Sequence, residues 1–268
     1  GAAPAAGDPA TLERGRYLVQ AGGCISCHTA DEPDAPPLAG GRALETPFGT
    51  FYPPNLTPDP ATGLRNWTDE DLARALREGV APDGSYYFPA FPYPSYTGMS
   101  DADVAAIGAY LRSLRPVRSA TKPHDLPWYL ASRWVMWGWN LLNFTPGRFE
   151  PDPARPAAWN RGAYLVRHLG HCGECHTPRN LLGGLDRSRE LAGNPAGAEG
   201  SKVPGITTDP GAGIGRWTTD EIGMFLEYGV YPDGDFAGAS MGEVITDNTS
   251  RLTADDRLAI ATYLKSGR

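Results

Sequence analysis

The chain carries the pattern Cys-x-x-Cys-His twice, as Cys24-Ile25-Ser26-Cys27-His28 and as Cys172-Gly173-Glu174-Cys175-His176, and the two copies use all four of its cysteines. This is the attachment signature of a c-type haem. Two thiols one helical turn apart can each add to a vinyl group of one porphyrin, and the next residue then places an imidazole under the iron. The reading is two covalently bound haem c groups, on Cys24 and Cys27 and on Cys172 and Cys175, with His28 and His176 as proximal iron ligands. A zinc site would bring the two Cys pairs together on one small ribbon, yet the pairs lie far apart, each in its own copy of a repeat. A thiol–disulfide pair needs no second His-flanked copy.

The repeat sets the architecture. Gly15-Arg16-Tyr17-Leu18-Val19 answers Gly162-Ala163-Tyr164-Leu165-Val166, Asn66-Trp67-Thr68 answers Arg216-Trp217-Thr218, and Val80-Ala81-Pro82-Asp83-Gly84 answers Val230-Tyr231-Pro232-Asp233-Gly234. Each copy predicts a first helix (Thr11 to Ala21; Ala157 to Leu169). In it, Gly15 or Gly162 lets another helix approach closely. A second helix opens at Thr68 or Thr218 with a capping box and stops at Gly79 or Gly229. The last helix opens at Ser100-Asp101-Ala102-Asp103 or Thr253-Ala254-Asp255-Asp256, and Val104, Ile107 and Leu111 keep helical spacing. No convincing strand run appears. The expectation is an all-α chain of two tandem haem-binding domains, residues 1–115 and 157–268, with crossed first and last helices.

Between them, residues 116–156 are rich in Pro and Trp, with Trp128, Trp134, Trp137 and Trp139 close together. A flexible linker would be polar and rich in Gly and Ser. The composition predicts an ordered strap that buries its indoles between the domains; the rival is an exposed aromatic patch that docks a partner. The apolar window from Trp128 to Phe144 is too short to span a bilayer.

The formal charge of −7, made more negative by haem propionates, argues against nucleic acid and anionic lipid and favours a partner with a basic docking patch. The start Gly1-Ala2-Ala3-Pro4-Ala5-Ala6-Gly7 reads as the trimmed start of an exported chain or as a scar of recombinant expression. Haem attachment of this kind happens outside the bacterial cytoplasm, so a periplasmic location is expected.

Methionine opposite the histidine closes a haem site and raises its potential. Met241, in Gly238-Ala239-Ser240-Met241-Gly242, is expected on a Gly-rich loop before the last helix and is the distal ligand expected for haem 2. Aligning the repeats places Phe91, which cannot ligate, opposite Met241; Met99, eight residues later, is the expected distal ligand of haem 1. Met224 reads as core and Met136 as gap filling. His124, His168 and His171 read as surface or hydrogen-bonded side chains rather than ligands. Asn55, Thr57, Trp67, Thr207 and Trp217 occupy matching places and either bind haem propionates or cap turns and pack the core.

With these residues in hand, the chain resembles the di-haem cytochrome c proteins related to the cytochrome c subunits of bacterial membrane-bound alcohol and gluconate dehydrogenases. The likeness rests on Gly15-Arg16-Tyr17-Leu18, Asn55-Leu56-Thr57-Pro58-Asp59, Pro89-Ala90-Phe91-Pro92-Tyr93-Pro94-Ser95-Tyr96, Pro123-His124-Asp125-Leu126-Pro127, Gly162-Ala163-Tyr164-Leu165-Val166 and Cys175-His176-Thr177-Pro178-Arg179-Asn180. It implies two tandem class I cytochrome c domains relaying electrons from a periplasmic dehydrogenase to a cytochrome or oxidase of a respiratory chain, with no catalytic activity of their own. Those subunits often carry a third haem domain and a membrane anchor, which this sequence does not show. Many of them also carry Met where Phe91 stands. The rival reading is a di-haem peroxidase-like enzyme with an open haem 1 site.

Overall fold

The computed structural model describes residues 7–130, 134–197 and 202–267. Helix α1 (Pro9–Ala21) opens on Asp8, whose carboxylate accepts from the Thr11 amide at 3.1 Å, and Pro9 occupies the first turn where no amide donor is needed. It lies across α5 (Asp101–Ser113), and α7 (Ala157–Tyr164) lies in the same way across α11 (Ala254–Ser266). The crossings are close because of two glycines. A Cβ on Gly15 would stand 2.0 Å from the carbonyl oxygen of Ala106, and a Cβ on Gly162 would stand 2.0 Å from that of Ala259. Both predicted crossings are therefore present, made by backbone-to-backbone approach.

The capping boxes form as the sequence predicts. Thr68 and Asp71 open α3 (Asp69–Glu78), and Thr218 and Glu221 open α9 (Thr219–Tyr228). Gly79 and Gly229 end these helices in the left-handed conformation that favours glycine, at φ 66° and 72°. Three details differ from expectation. A two-stranded antiparallel ribbon pairs β1 (Leu44–Thr46) with β2 (Gly49–Phe51), too short to show as an alternating run. The first helix of the second copy is α-helical only to Tyr164; Leu165–Leu169 widen into a π-helical turn in which the Gly170 amide donates to the Leu165 carbonyl at 2.7 Å. Met241 stands on a helix, α10 (Ala239–Asp247), rather than on a loop.

One buried cluster joins both copies: Leu18, Val19, Met99 and Ile107 from the first and Leu165, Val166, Leu169 and Ile260 from the second belong to it. Polar contacts seal the seam. The Tyr17 hydroxyl donates to Asp256 at 2.5 Å and the Tyr164 hydroxyl to Asp103 at 2.6 Å. Each carboxylate is also held by an arginine of its own copy, Asp256 by Arg161 at 2.7 Å and Asp103 by Arg14.

The connector is tied down, but it buries only one of the four indoles, that of Trp139. Asp125 exchanges backbone hydrogen bonds with Thr50 at 2.9 Å, and the Phe149 amide donates to the Gly98 carbonyl at 3.1 Å. On α6 (Trp134–Asn143), Trp139 is buried with Met136 and Tyr93, and its indole donates to the Leu182 carbonyl at 2.7 Å. Trp128, Trp134 and Trp137 are 86%, 80% and 52% exposed, which corrects the buried-strap expectation for three of the four tryptophans. α6 is anchored on one face by Trp139, Met136 and a hydrogen bond between the Tyr93 hydroxyl and Asn140, and its other face stays in solvent. Met136 fills the gap expected of it, whereas Met224 is exposed on the outer face of α9 and is not core. Among the described residues, no helix is long and apolar enough to cross a membrane.

Candidate functional site

Each Cys-x-x-Cys-His motif forms a short helix, α2 (Cys24–His28) and α8 (Gly173–His176), with Cys172 as the cap of the second. In a helical turn the two thiols of each pair, three residues apart, fall on one side, and the histidine follows directly in the chain. The four cysteines are free. Burial pushes the Cys24 and Cys172 thiols up to about 12, with a smaller push from the neighbouring Cys27 and Cys175. Among the described residues, no group of three or more His, Cys, Asp or Glu side chains converges as a metal cage, so the cysteines do not meet on a shared zinc site.

The strongest feature lies one step out from the motif. His28 Nδ1 is 2.7 Å from the carbonyl oxygen of Pro54, and His176 Nδ1 is 2.8 Å from that of Pro204. A carbonyl only accepts, so Nδ1 carries the proton and Nε2 keeps a lone pair for iron. Desolvation pushes His28 down to about 4, against a smaller opposing effect of the Pro54 hydrogen bond, and lowers His176 for the same reason. Both imidazoles are therefore neutral at pH 7, the form that binds metal. Two neutral, oriented imidazoles, each beside a thiol pair, fit a covalently attached haem at each motif.

A further matched pair lies outside the Cys-x-x-Cys-His motifs. Leu38 and Leu191 both take the left-handed backbone conformation at φ 63°, and both are buried. Their amides donate to Thr29 and Thr177, the residues after each proximal histidine, at 3.2 and 3.0 Å. Two residues on, the Gly40 and Gly193 amides donate to the His28 and His176 carbonyls, each at 2.7 Å. The repeated Leu-Ala-Gly of Leu38 to Gly40 and Leu191 to Gly193, and the prolines at 54 and 204, are the signals that could have found them.

Of the residues singled out for propionates, Asn55 and Thr57 are spent on the backbone. The Asn55 amide donates to Thr62 Oγ1 and to the Val117 carbonyl, and its oxygen accepts from the Thr57 amide and hydroxyl. Thr57 Oγ1 also accepts from the Val117 amide at 3.1 Å. These two cap the turn and pin the start of the connector, which corrects the propionate expectation for them. Thr207 Oγ1 accepts from the Asp209 amide at 3.4 Å, and Trp67 and Trp217 pack half-buried against the core. Met99 is fully buried in the cluster that Cys24 borders, with Phe91 packed on the same cluster; Met241 is half-buried. His168, His171 and His124 are hydrogen-bonded, to the Ser95 and Gly22 carbonyls and to the Tyr52 amide respectively.

Each motif is reached by contacts that involve the other copy. Ser95, on the short helix α4 (Tyr93–Tyr96) four residues before Met99, donates to Glu174 inside the second motif at 2.6 Å. Arg42 bonds the Ser26 carbonyl inside the first motif and pairs with Glu243, two residues beyond Met241. The helix just before Met99 and the helix carrying Met241 are thus each tied to the attachment segment of the other copy.

The cytochrome c family model matches residues 12–115. The chain is 45% identical over 265 residues to a protein of Cereibacter sphaeroides named "Diheme cytochrome c-type", covering 97% of this chain and 87% of that one. It is 42% identical over 258 residues to a nicotinate dehydrogenase subunit of Pseudomonas putida, covering 96% of this chain and 21% of that one. It is 39% identical over 266 residues to the gluconate 2-dehydrogenase cytochrome c subunit of Pantoea cypripedii, covering 96% of this chain and 59% of that one. The chain thus spans only part of the length of these two dehydrogenase subunits. Similarity over nearly the whole chain, on a frame that repeats the Cys-x-x-Cys-His helix and its proline-held histidine, shows that the chain belongs to the cytochrome c family, as a di-haem cytochrome c related to the cytochrome subunits of bacterial dehydrogenases.

Proposed function

We propose that this cytochrome carries two covalent haems, bound through Cys24, Cys27, His28 and Met99 and through Cys172, Cys175, His176 and Met241. It passes single electrons from a periplasmic dehydrogenase to a respiratory cytochrome or oxidase. The two haem units are residues 1–115 and 157–268, joined by the connector 116–156. The observation that carries the reading is the paired hydrogen bond from His28 to Pro54 and from His176 to Pro204, at 2.7 and 2.8 Å. It fixes both imidazoles in the tautomer and orientation an iron ligand needs, once per repeat.

Haem supplies an iron that alternates between ferrous and ferric, and the protein sets its potential and orientation. The chain's own part is to keep Nε2 of each histidine unprotonated, to exclude water from the buried Met99 side, and to hold the two attachment segments together. The dehydrogenase donor follows from the relatives, several of which are named as dehydrogenase subunits. Trp67, Trp217 and Thr207 remain the candidates for propionate contacts.

An anaerobic reductive titration tests the reading. Two one-electron equivalents per chain, with both haems low-spin and no peroxide turnover, are expected. A high-spin haem at rest that turns over peroxide would transfer the chain to the peroxidase class.

A further inference from the structure

Gly23 and His171 hold the same place in the two copies, immediately before the first cysteine, and both take left-handed backbone conformations, at φ 67° and 40°. Glycine adopts this at no steric cost; a histidine there costs on the order of 1 kcal/mol. The second copy keeps the costly residue, and its side chain crosses the seam. The His171 ring packs directly against Gly23, with Nε2 3.5 Å from where a Gly23 Cβ would stand.

His171 Nε2 lies 3.3 Å from the Gly22 carbonyl oxygen. The same carbonyl accepts from the Tyr96 hydroxyl at 2.5 Å, and Asn248 donates to the Ala21 carbonyl at 3.0 Å. Tyr96 also stands edge-on to the His171 ring, with centroids 5.4 Å apart. The segment leading into the first haem motif is therefore clamped by side chains from both copies. Of these three side chains, only that of His171 belongs to a residue covalently joined to a cysteine of the second motif. Desolvation keeps its imidazole neutral, which supports an Nε2–H donating to the carbonyl.

We propose that His171 is the bridging residue for electron exchange between the two haems, along Cys172, His171, the hydrogen bond to the Gly22 carbonyl, Gly23 and Cys24. The inference rests on both motifs carrying haem. One electron leaves a ferrous haem and reduces a ferric one; no bond is made or broken, and the imidazole keeps its proton. Covalent bonds joined by one hydrogen bond couple two centres better than an open gap does, and the His171–Gly22 contact at 3.3 Å joins the two attachment segments in that way.

The test uses the full chain with both haems, confirmed by intact mass and by reductive titration. A preparation that lacks the second haem refutes the functional reading before any rate is measured. Pulse radiolysis then reads the intramolecular equilibration rate, compared at matched driving force. His171→Gly installs the residue that the first copy uses, so the melting temperature and both potentials should hold while the rate falls several-fold. His171→Gln, which returns a donor, should recover part of the loss. Tyr96→Phe removes the other hydrogen bond to the same carbonyl and should leave the rate at the wild-type value. Equilibration in His171→Gly at the wild-type rate would overturn the proposal. Equal slowing in Tyr96→Phe would overturn it too, because the cause would then be a shift of the Gly22 loop.

Discussion

The Tyr17 hydroxyl donates to the Asp256 carboxylate at 2.5 Å, and across the same seam the Tyr164 hydroxyl donates to Asp103 at 2.6 Å. The matching tyrosines of the duplicated first helix thus exchange partners, each reaching the last helix of the other copy. With one buried cluster spanning both copies, the halves should unfold together. Tyr17→Phe is expected to cost about 2 kcal/mol, the loss of a hydrogen bond to a charged acceptor. Denaturant unfolding followed at two probes, one in each half, should show coincident transitions at a lower midpoint. A separate early transition of one half would contradict the single core.

Asp256 makes this seam acid-sensitive. Burial pushes its carboxyl up, but the hydrogen bonds from Arg161 and Tyr17 outweigh that, and its pKa is lowered. A lowered carboxyl contributes stability that is complete above the unfolded value of about 3.9 and is lost as pH falls through the folded one. Melting temperature measured down through pH 4 should drop, and Asp256→Asn should flatten that drop while lowering stability at pH 7. An unchanged acid slope in Asp256→Asn would remove Asp256 from the account.

Gly15→Ala and Gly162→Ala should each destabilise the protein by about 2 kcal/mol or more, because the added methyl meets a backbone carbonyl that cannot move without the helix. Urea unfolding checks this; a gain in stability from alanine's helix propensity would show that the helices do not touch at that point.

How far the sequence reaches is visible in these same residues. Gly15 and Gly162, the capping boxes at Thr68 and Thr218, and the Cys-x-x-Cys-His helices all depend on local spacing, and all are readable from it. The Pro54 and Pro204 carbonyls, the Leu38 and Leu191 backbone and the Tyr17–Asp256 exchange depend on residues brought together only by the fold. The exposed Trp128, Trp134 and Trp137 defeat the sequence reading because composition reports how apolar a segment is, not which face another element covers. Met224 does so likewise, since helical spacing places it on α9 without saying that this face is outermost. Asn55 and Thr57 are half-legible: their repeat position is visible, while the Val117 backbone that uses them is not.

The distal ligands make a paired prediction. Met241→Ala should remove about one haem's share of the methionine–iron charge-transfer absorption and lower the potential of haem 2 without unfolding the chain, since the thioethers and His176 remain. Met99→Ala should make haem 1 high-spin and open it to cyanide or carbon monoxide. Adding Phe91→Met to Met99→Ala should restore a low-spin haem 1 if the repeat marks the distal position. Rapid carbon monoxide binding at one haem of the wild-type protein would show that Met99 serves only as core.

The chain's charge of −7 predicts that reduction by the proposed dehydrogenase donor slows as salt rises, through screening of the encounter field. Stopped-flow rates across ionic strength measure this. A rate indifferent to salt would instead assign docking to the exposed indoles of Trp134 and Trp137.

The central claim is that both Cys-x-x-Cys-His helices carry covalent haem. Intact mass of the protein purified from a host able to attach haem c tests it most directly. The account predicts a mass equal to the polypeptide plus two haem groups, neither removed by acid–acetone. A mass showing a single haem, none, or bound zinc would contradict it.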